Sequence, residues 1–108
     1  MAYYAIFDTD VFDPEVYKEY QAKVGPGVAA HGGKYLSAGG DLQVFEGDWS
    51  LHRIVMLEFP DKSAFEGWYF GADYQALKPI RDRAVHSKAF GVGGFEPRFS
   101  ATHSGARV

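Results

Sequence analysis

A chain of 108 residues, 46% hydrophobic and 17% aromatic, is large enough to bury one core without disulfide or metal staples. A net charge of −3 leaves no electrostatic footprint for nucleic acid or anionic membrane, and the lack of cysteine excludes a disulfide scaffold, thiolate metal sites and a Cys nucleophile. No apolar run approaches the roughly 20 residues that span a bilayer, and Met1-Ala-Tyr-Tyr-Ala lacks the basic-then-apolar order of a signal peptide, so a cytoplasmic protein is expected.

Ala2 to Asp8 reads as a strand, with Tyr3, Ala5 and Phe7 on one face and Tyr4 and Ile6 on the other. Asp13-Pro14 predicts a helix start, the aspartate capping free amides and the proline suiting the first helical position. Val16, Tyr20 and Val24 follow at i, i+4 spacing, with Tyr17 widening the apolar stripe. Gly25-Pro26-Gly27 is expected to break or kink this helix. Val28 to His31 gives a further turn, which Gly32-Gly33 ends. Lys34 to Ala38 and, after a turn at Gly39-Gly40, Leu42 to Glu46 read as strands.

The run Arg53-Ile-Val-Met-Leu-Glu-Phe59 is a strand with apolar residues on both faces: Ile54 and Met56 on one, Val55, Leu57 and Phe59 on the other. A short aromatic helix follows, capped by Asp61 or by Ser63 with Glu66 in capping-box spacing. Phe65, Trp68 and Tyr69 form its apolar face. Tyr74 to Ala84 carries a third helical pattern, which Pro79 is expected to split or kink. Ala89 to Phe95 reads as a last strand, glycine-rich and so near an edge or a close backbone contact. Residues 1–97 are expected to form a single domain and residues 98–108 a polar tail, dispensable for folding.

This order is α+β: a ferredoxin-like split βαβ pattern, with an antiparallel sheet and helices on one face. The strand Arg53–Phe59 needs two covers, and there is helix enough for one. A homodimer joined through its sheet faces is the simplest way to hide the second face. The spacing does not say whether Met56 or Leu57 faces the partner.

The blocks Asp13 to Tyr20, His31 to Leu36, Gly39-Gly40, Phe45 to Trp49, Arg53 to Pro60, Trp68-Tyr69 and Tyr74 to Lys78 together resemble the domain of unknown function 1330 family. The resemblance runs over roughly residues 2 to 96. It implies the dimeric α+β barrel superfamily, which includes cofactor-free monooxygenases, small-lactone isomerases and some haem enzymes. The family has no established reaction. The proline-interrupted helix and the segment after Pro97 depart from its pattern.

His31, between a helix end and a strand, reads either as a base or anion ligand or as a helix-end residue completing free carbonyls. Glu58 breaks the apolar alternation of its strand, and so is a poised acid or base or one half of an ion pair with Arg53, Arg81 or Arg83. Tyr69 and Tyr74 carry hydroxyls that need partners and suit the wall of a pocket for planar ligands, whereas Trp68 suits the core. Glu46, Asp48 and His52 lack metal-ligand spacing, and no metal site is expected. No cofactor is expected; haem through His31 is a third alternative. The expected function is binding of a small organic acid between sheet and helices, with His31 or Glu58 as the catalytic pair and Arg53, Tyr69, Tyr74 and Arg81 holding the substrate. Whether it is an enzyme is left open by the sequence; if it is, the chemistry expected is cofactor-free oxygenation or isomerisation of a small aromatic or unsaturated acid. The alternative is a non-enzymatic dimeric binding or stress-related module.

Overall fold

The computed structural model describes residues 1–95, so the segment 98–108 read as a tail lies outside the described residues. The elements are β1 (Tyr3–Val11), α1 (Pro14–Ala30), β2 (Lys34–Ala38), β3 (Arg53–Phe59), α2 (Lys62–Tyr69), α3 (Ala72–Asp82) and β4 (Val85–Gly93). The sheet order is β2-β3-β1-β4, and every neighbouring pair is antiparallel. This is the expected α+β, ferredoxin-like split βαβ arrangement.

Alternation along β1 sends Ala5, Phe7 and Thr9 under the helices. Leu57 and Phe59 of β3 lie on that same core face, at 2% and 0% exposure. Trp68 of α2 stacks on Phe59 with ring centroids 5.6 Å apart. The other face carries no helix. There Ile6 stands in register between Met56 of β3 and Phe90 of β4, and Tyr4 between Glu58 and Val92. Phe90 and Val92 are exposed. The structure thereby separates the two candidates for the open face: Met56 lies on it and Leu57 does not.

Asp13 caps α1 by accepting from the Val16 amide at 3.2 Å, with Pro14 in the first turn. The helix runs unbroken through Pro26, against the expected break. A proline inside a helix costs about 3 kcal/mol or more, but Val24 and Val28, a turn apart on either side of it, are both buried. Burying one valine gives about 1.5–3 kcal/mol, so continuing the stripe offsets the lost hydrogen bond. The amides of Gly32 and Gly33 return to the carbonyls of Ala29 and Val28 and close the helix.

α3 likewise passes through Pro79 without a break, from Ala72 to Asp82, with Tyr74 and Arg81 buried on its inner side. Asp61, rather than Ser63, caps α2, accepting from the Ala64 amide at 2.8 Å. Leu42–Glu46 is not a strand. Its alternation of apolar and polar residues finds no backbone ladder among the described residues, and Leu42, Val44 and Phe45 are exposed. The last strand begins earlier than expected, at Val85, and occupies a sheet edge. A Cβ at its Gly91 would collide with the Tyr3 ring, so only glycine lets that ring lie across the edge strand.

Candidate functional site

Register builds the floor of one cavity. Thr9 of β1 lies between Arg53 of β3 and Ser87 of β4, making a polar row across the core face of the sheet. The next row inward, Val55 and Phe7, is apolar. Tyr17, Tyr20, Gln21 and Val24 of α1 roof a cavity of about 240 Å³ over these rows. Tyr35, Trp68 and Arg81 complete its walls. The result is a small chamber with an aromatic interior and a cationic, hydroxyl-bearing end.

The two arginines are in different states. Arg81, 8% exposed, donates through Nη1 to the Tyr74 hydroxyl at 3.1 Å and through Nε and Nη2 to Asp82 Oδ1 at 3.4 and 3.2 Å. The Tyr74 hydroxyl lies 3.0 Å from that of Tyr20. Burial works against the charge of Arg81, but Tyr74 and Asp82 outweigh it and hold the guanidinium more firmly protonated than usual. Arg53 lies over the Tyr17 ring, 5.5 Å from its centroid. Its Nη2 donates to the Ala38 carbonyl at a long 3.4 Å. Its Nη1 is buried with no hydrogen-bond partner among the described residues.

Gly39 makes room for this group. Its φ is +78°, and an added Cβ would sit 3.0 Å from Arg53 Cζ, so a larger residue would be strained and would press on the guanidinium.

Four phenols around the chamber are pushed above the usual tyrosine range. Burial is the main cause for each of Tyr17, Tyr20, Tyr35 and Tyr74, and the neighbouring Tyr74 hydroxyl adds to the effect at Tyr20. They therefore serve as hydrogen-bond donors at neutral pH. Below about pH 10 these groups are protonated in both folded and unfolded chains. Above it the unfolded chain ionises first, so stability is expected to fall as pH rises past 10. Absorbance at 295 nm should give less phenolate at pH ~10.5 in the folded protein than in urea; identical titrations would contradict buried hydroxyls.

Of the residues singled out from sequence, Arg53, Tyr74 and Arg81 meet in or against this chamber. The others do not join them. Tyr69 lines a separate hollow with Phe65, Phe70 and Phe90. His31 is exposed at the end of α1, its Nδ1 2.9 Å from the Gly27 carbonyl. That is the helix-end role, and His31 borders a shallow hollow with Gly67 and Asp73. Glu58 does share its strand face with Met56, but this is the helix-free face, where it stands between Tyr4 and Lys34. Arg53 and Arg81, offered as its partners, are on the other side of the sheet.

Sequence reading passed over Thr9, Tyr17, Tyr20, Tyr35 and Ser87. A signal existed for three of them: Thr9 interrupts an inward apolar alternation, and Tyr17 and Tyr20 put hydroxyls on a buried helical stripe. His52 bonds Asp8 through its backbone amide at 2.7 Å, with Nδ1 3.1 Å from the same carboxylate. No cluster of three or more His, Asp or Glu side chains suited to a metal occurs among the described residues, and no helix among them is long and apolar enough to cross a membrane.

Solved structures with this fold include RPA0582 of Rhodopseudomonas palustris, a protein of unknown function. It is 19% identical, with 89% of this chain and 84% of that one covered and a TM-score of 0.72. SnoaB of Streptomyces nogalater, a cofactor-independent oxygenase, is 11% identical over 88% of this chain and 94% of its own, with a TM-score of 0.64. A dimeric ferredoxin-like protein of unknown function from Thermobifida fusca is 16% identical over 87% and 92%, with a TM-score of 0.62. At these identities the likeness is one of fold. No curated protein matches the sequence. The family described as "Domain of unknown function (DUF1330)" matches residues 2–95, and the chain belongs to that family.

Proposed function

We propose that this protein binds a small aromatic or unsaturated organic acid in the chamber between its sheet and α1, and does so as a homodimer. The observation that carries the reading is Arg53, a guanidinium in the wall of a largely aromatic cavity whose buried Nη1 has no hydrogen-bond partner among the described residues. A buried donor left unmade costs about 1–3 kcal/mol, and a carboxylate entering the chamber would pair with this guanidinium. The rings of Tyr17, Tyr20 and Trp68 suit a flat hydrocarbon body. At about 240 Å³ the chamber is smaller than the ~300–1,000 Å³ typical of sites for drug-sized ligands, which favours an acid of one or two rings.

Among the described residues the chamber lining holds arginines, phenols, hydroxyls and the Gln21 amide but no carboxylate or imidazole. Such groups stabilise an anion and do not remove a proton, so binding is the function this lining favours. His31 and Glu58, expected as the catalytic pair, stand outside it. A second reading, cofactor-free oxygenation or isomerisation, draws support from the shared fold with SnoaB and from donors that would stabilise an enolate. Oxygen uptake with an enolisable aromatic acid tests it.

The dimer is supported by the apolar row Met56, Ile6 and Phe90 on the helix-free face and by dimeric structures of the same fold. An exposed sheet of this kind is unusual on a monomer, and a second copy covers it by symmetry.

Thermal denaturation tests the ligand reading. Benzoate, cinnamate and 2-naphthoate are expected to raise the melting temperature in a saturable manner, since a ligand bound only by the folded state stabilises it by mass action. If none of them shifts the transition up to millimolar concentration, the reading fails.

A further inference from the structure

The two cationic side chains of the chamber differ in how their charge is balanced. All three nitrogen positions of Arg81 are occupied by Tyr74 and Asp82, and the Asp82 carboxylate, which Lys78 also holds, pairs with it at 3.2 Å. Arg53 has no carboxylate within ion-pair distance among the described residues, a neutral aromatic face at one side, and one nitrogen without a partner. Among the described residues no acidic side chain lines the chamber, and Arg53 is the guanidinium of its lining with no carboxylate beside it.

We infer that the site selects a monoanion, and that Arg53 alone recognises its charge while Arg81 is a positioning residue for the Tyr20–Tyr74 hydroxyl pair. The inference rests on the organic-acid reading above and narrows it. A single carboxylate paired with the Arg53 guanidinium sits beside the row formed by Thr9 and Ser87, which are polar but uncharged. A second carboxylate would enter an aromatic interior with no free cation to meet it, and an unpaired charge in such surroundings is strongly disfavoured. A neutral amide would leave the Arg53 charge without a counter-ion.

Isothermal titration of the unmodified protein with two pairs of probes tests this. Phthalate and 2-nitrobenzoate have nearly the same shape and differ by one negative charge; benzamide and benzoate differ likewise at a single group. 2-Nitrobenzoate is expected to bind at least about tenfold more tightly than phthalate, and benzoate at least about tenfold more tightly than benzamide. In Arg53→Gln the preference for benzoate over benzamide should vanish, and in Arg53→Lys it should persist in part because the charge is kept. In Arg81→Lys it should also persist, while the alkaline titration of the buried phenols shifts.

Phthalate binding as tightly as 2-nitrobenzoate, or Arg53→Gln keeping the preference for benzoate, overturns the monoanion assignment and leaves the organic-acid reading standing. If no probe binds at all, the organic-acid reading falls and this inference falls with it. The phthalate comparison uses the native chain, so it decides the matter even where a variant fails to fold.

Discussion

Met56→Asp is expected to convert the proposed dimer into a monomer, whereas Leu57→Asp is expected to prevent folding. The two residues are adjacent on β3 but point to opposite faces. Met56 faces the helix-free side in register with Ile6, and Leu57, 2% exposed, faces the core. A carboxylate at Met56 would be buried only in the dimer, so its desolvation cost, several kcal/mol for an unpaired ion, falls on association. The same carboxylate at Leu57 would be buried in every folded state. That cost is comparable to the whole stability of a small domain, about 5–15 kcal/mol. Light scattering should give a mass near the chain's 12.0 kDa for Met56→Asp, against twice that for the native protein, with its far-ultraviolet circular dichroism retained. A Met56→Asp variant that keeps the dimeric mass would rule out the helix-free face as the interface.

Phe59→Ala is expected to cost about 3–5 kcal/mol, the usual range for removing a fully buried phenylalanine. Its ring is completely inaccessible and meets Trp68 and Phe65, each with centroids 5.6 Å away. The space left would lie where β3 meets α2 and the end of α1. Those elements cannot all move inward together, so the cavity term should be near its full value. Urea denaturation at fixed protein concentration measures this, because the stability of a dimer depends on concentration. A loss under about 1 kcal/mol would mean that Phe59 is not at the centre of the core. Trp68 also walls the chamber, so Phe59→Ala should weaken the proposed binding of benzoate without touching a polar group.

Local signals carried most of the architecture. Strand alternation in Tyr3–Phe7 and Arg53–Phe59 was legible because its period of two depends only on backbone geometry. The start of α1 at Asp13-Pro14 was legible because a cap and a helix-first proline act within four residues. The breaks expected at Pro26 and Pro79 do not occur, for the opposite reason. Their local cost is real, but the burial that offsets it comes from α1 and α3 packing on each other and over the sheet, which a linear reading of the helix does not contain. Leu42–Glu46 has the alternation of a strand and lacks a partner for it, and pairing is a property of the sheet.

The chamber was legible in part. Tyr74 was found through a hydroxyl that needs a partner, and Arg53 and Arg81 as cations offered to Glu58 and to a ligand's anion. His31 and Glu58 were drawn to the same place by plausible chemistry, yet one closes a helix in solvent and the other lies on the reverse side of the sheet. Sequence by itself determined the element order, the α+β class, the two-faced strand Arg53–Phe59 and hence the need for a second cover, all of which follow from local periodicity and composition. Tertiary structure alone decided which face is open and which residues converge. It put Met56 outward and Leu57 inward, brought Thr9 and Ser87 beside Arg53, and tied up Arg81 while leaving Arg53 Nη1 unmet among the described residues. Those outcomes depend on strand register and on the side of the sheet where the helices land, and both are fixed by contacts between residues far apart in the chain.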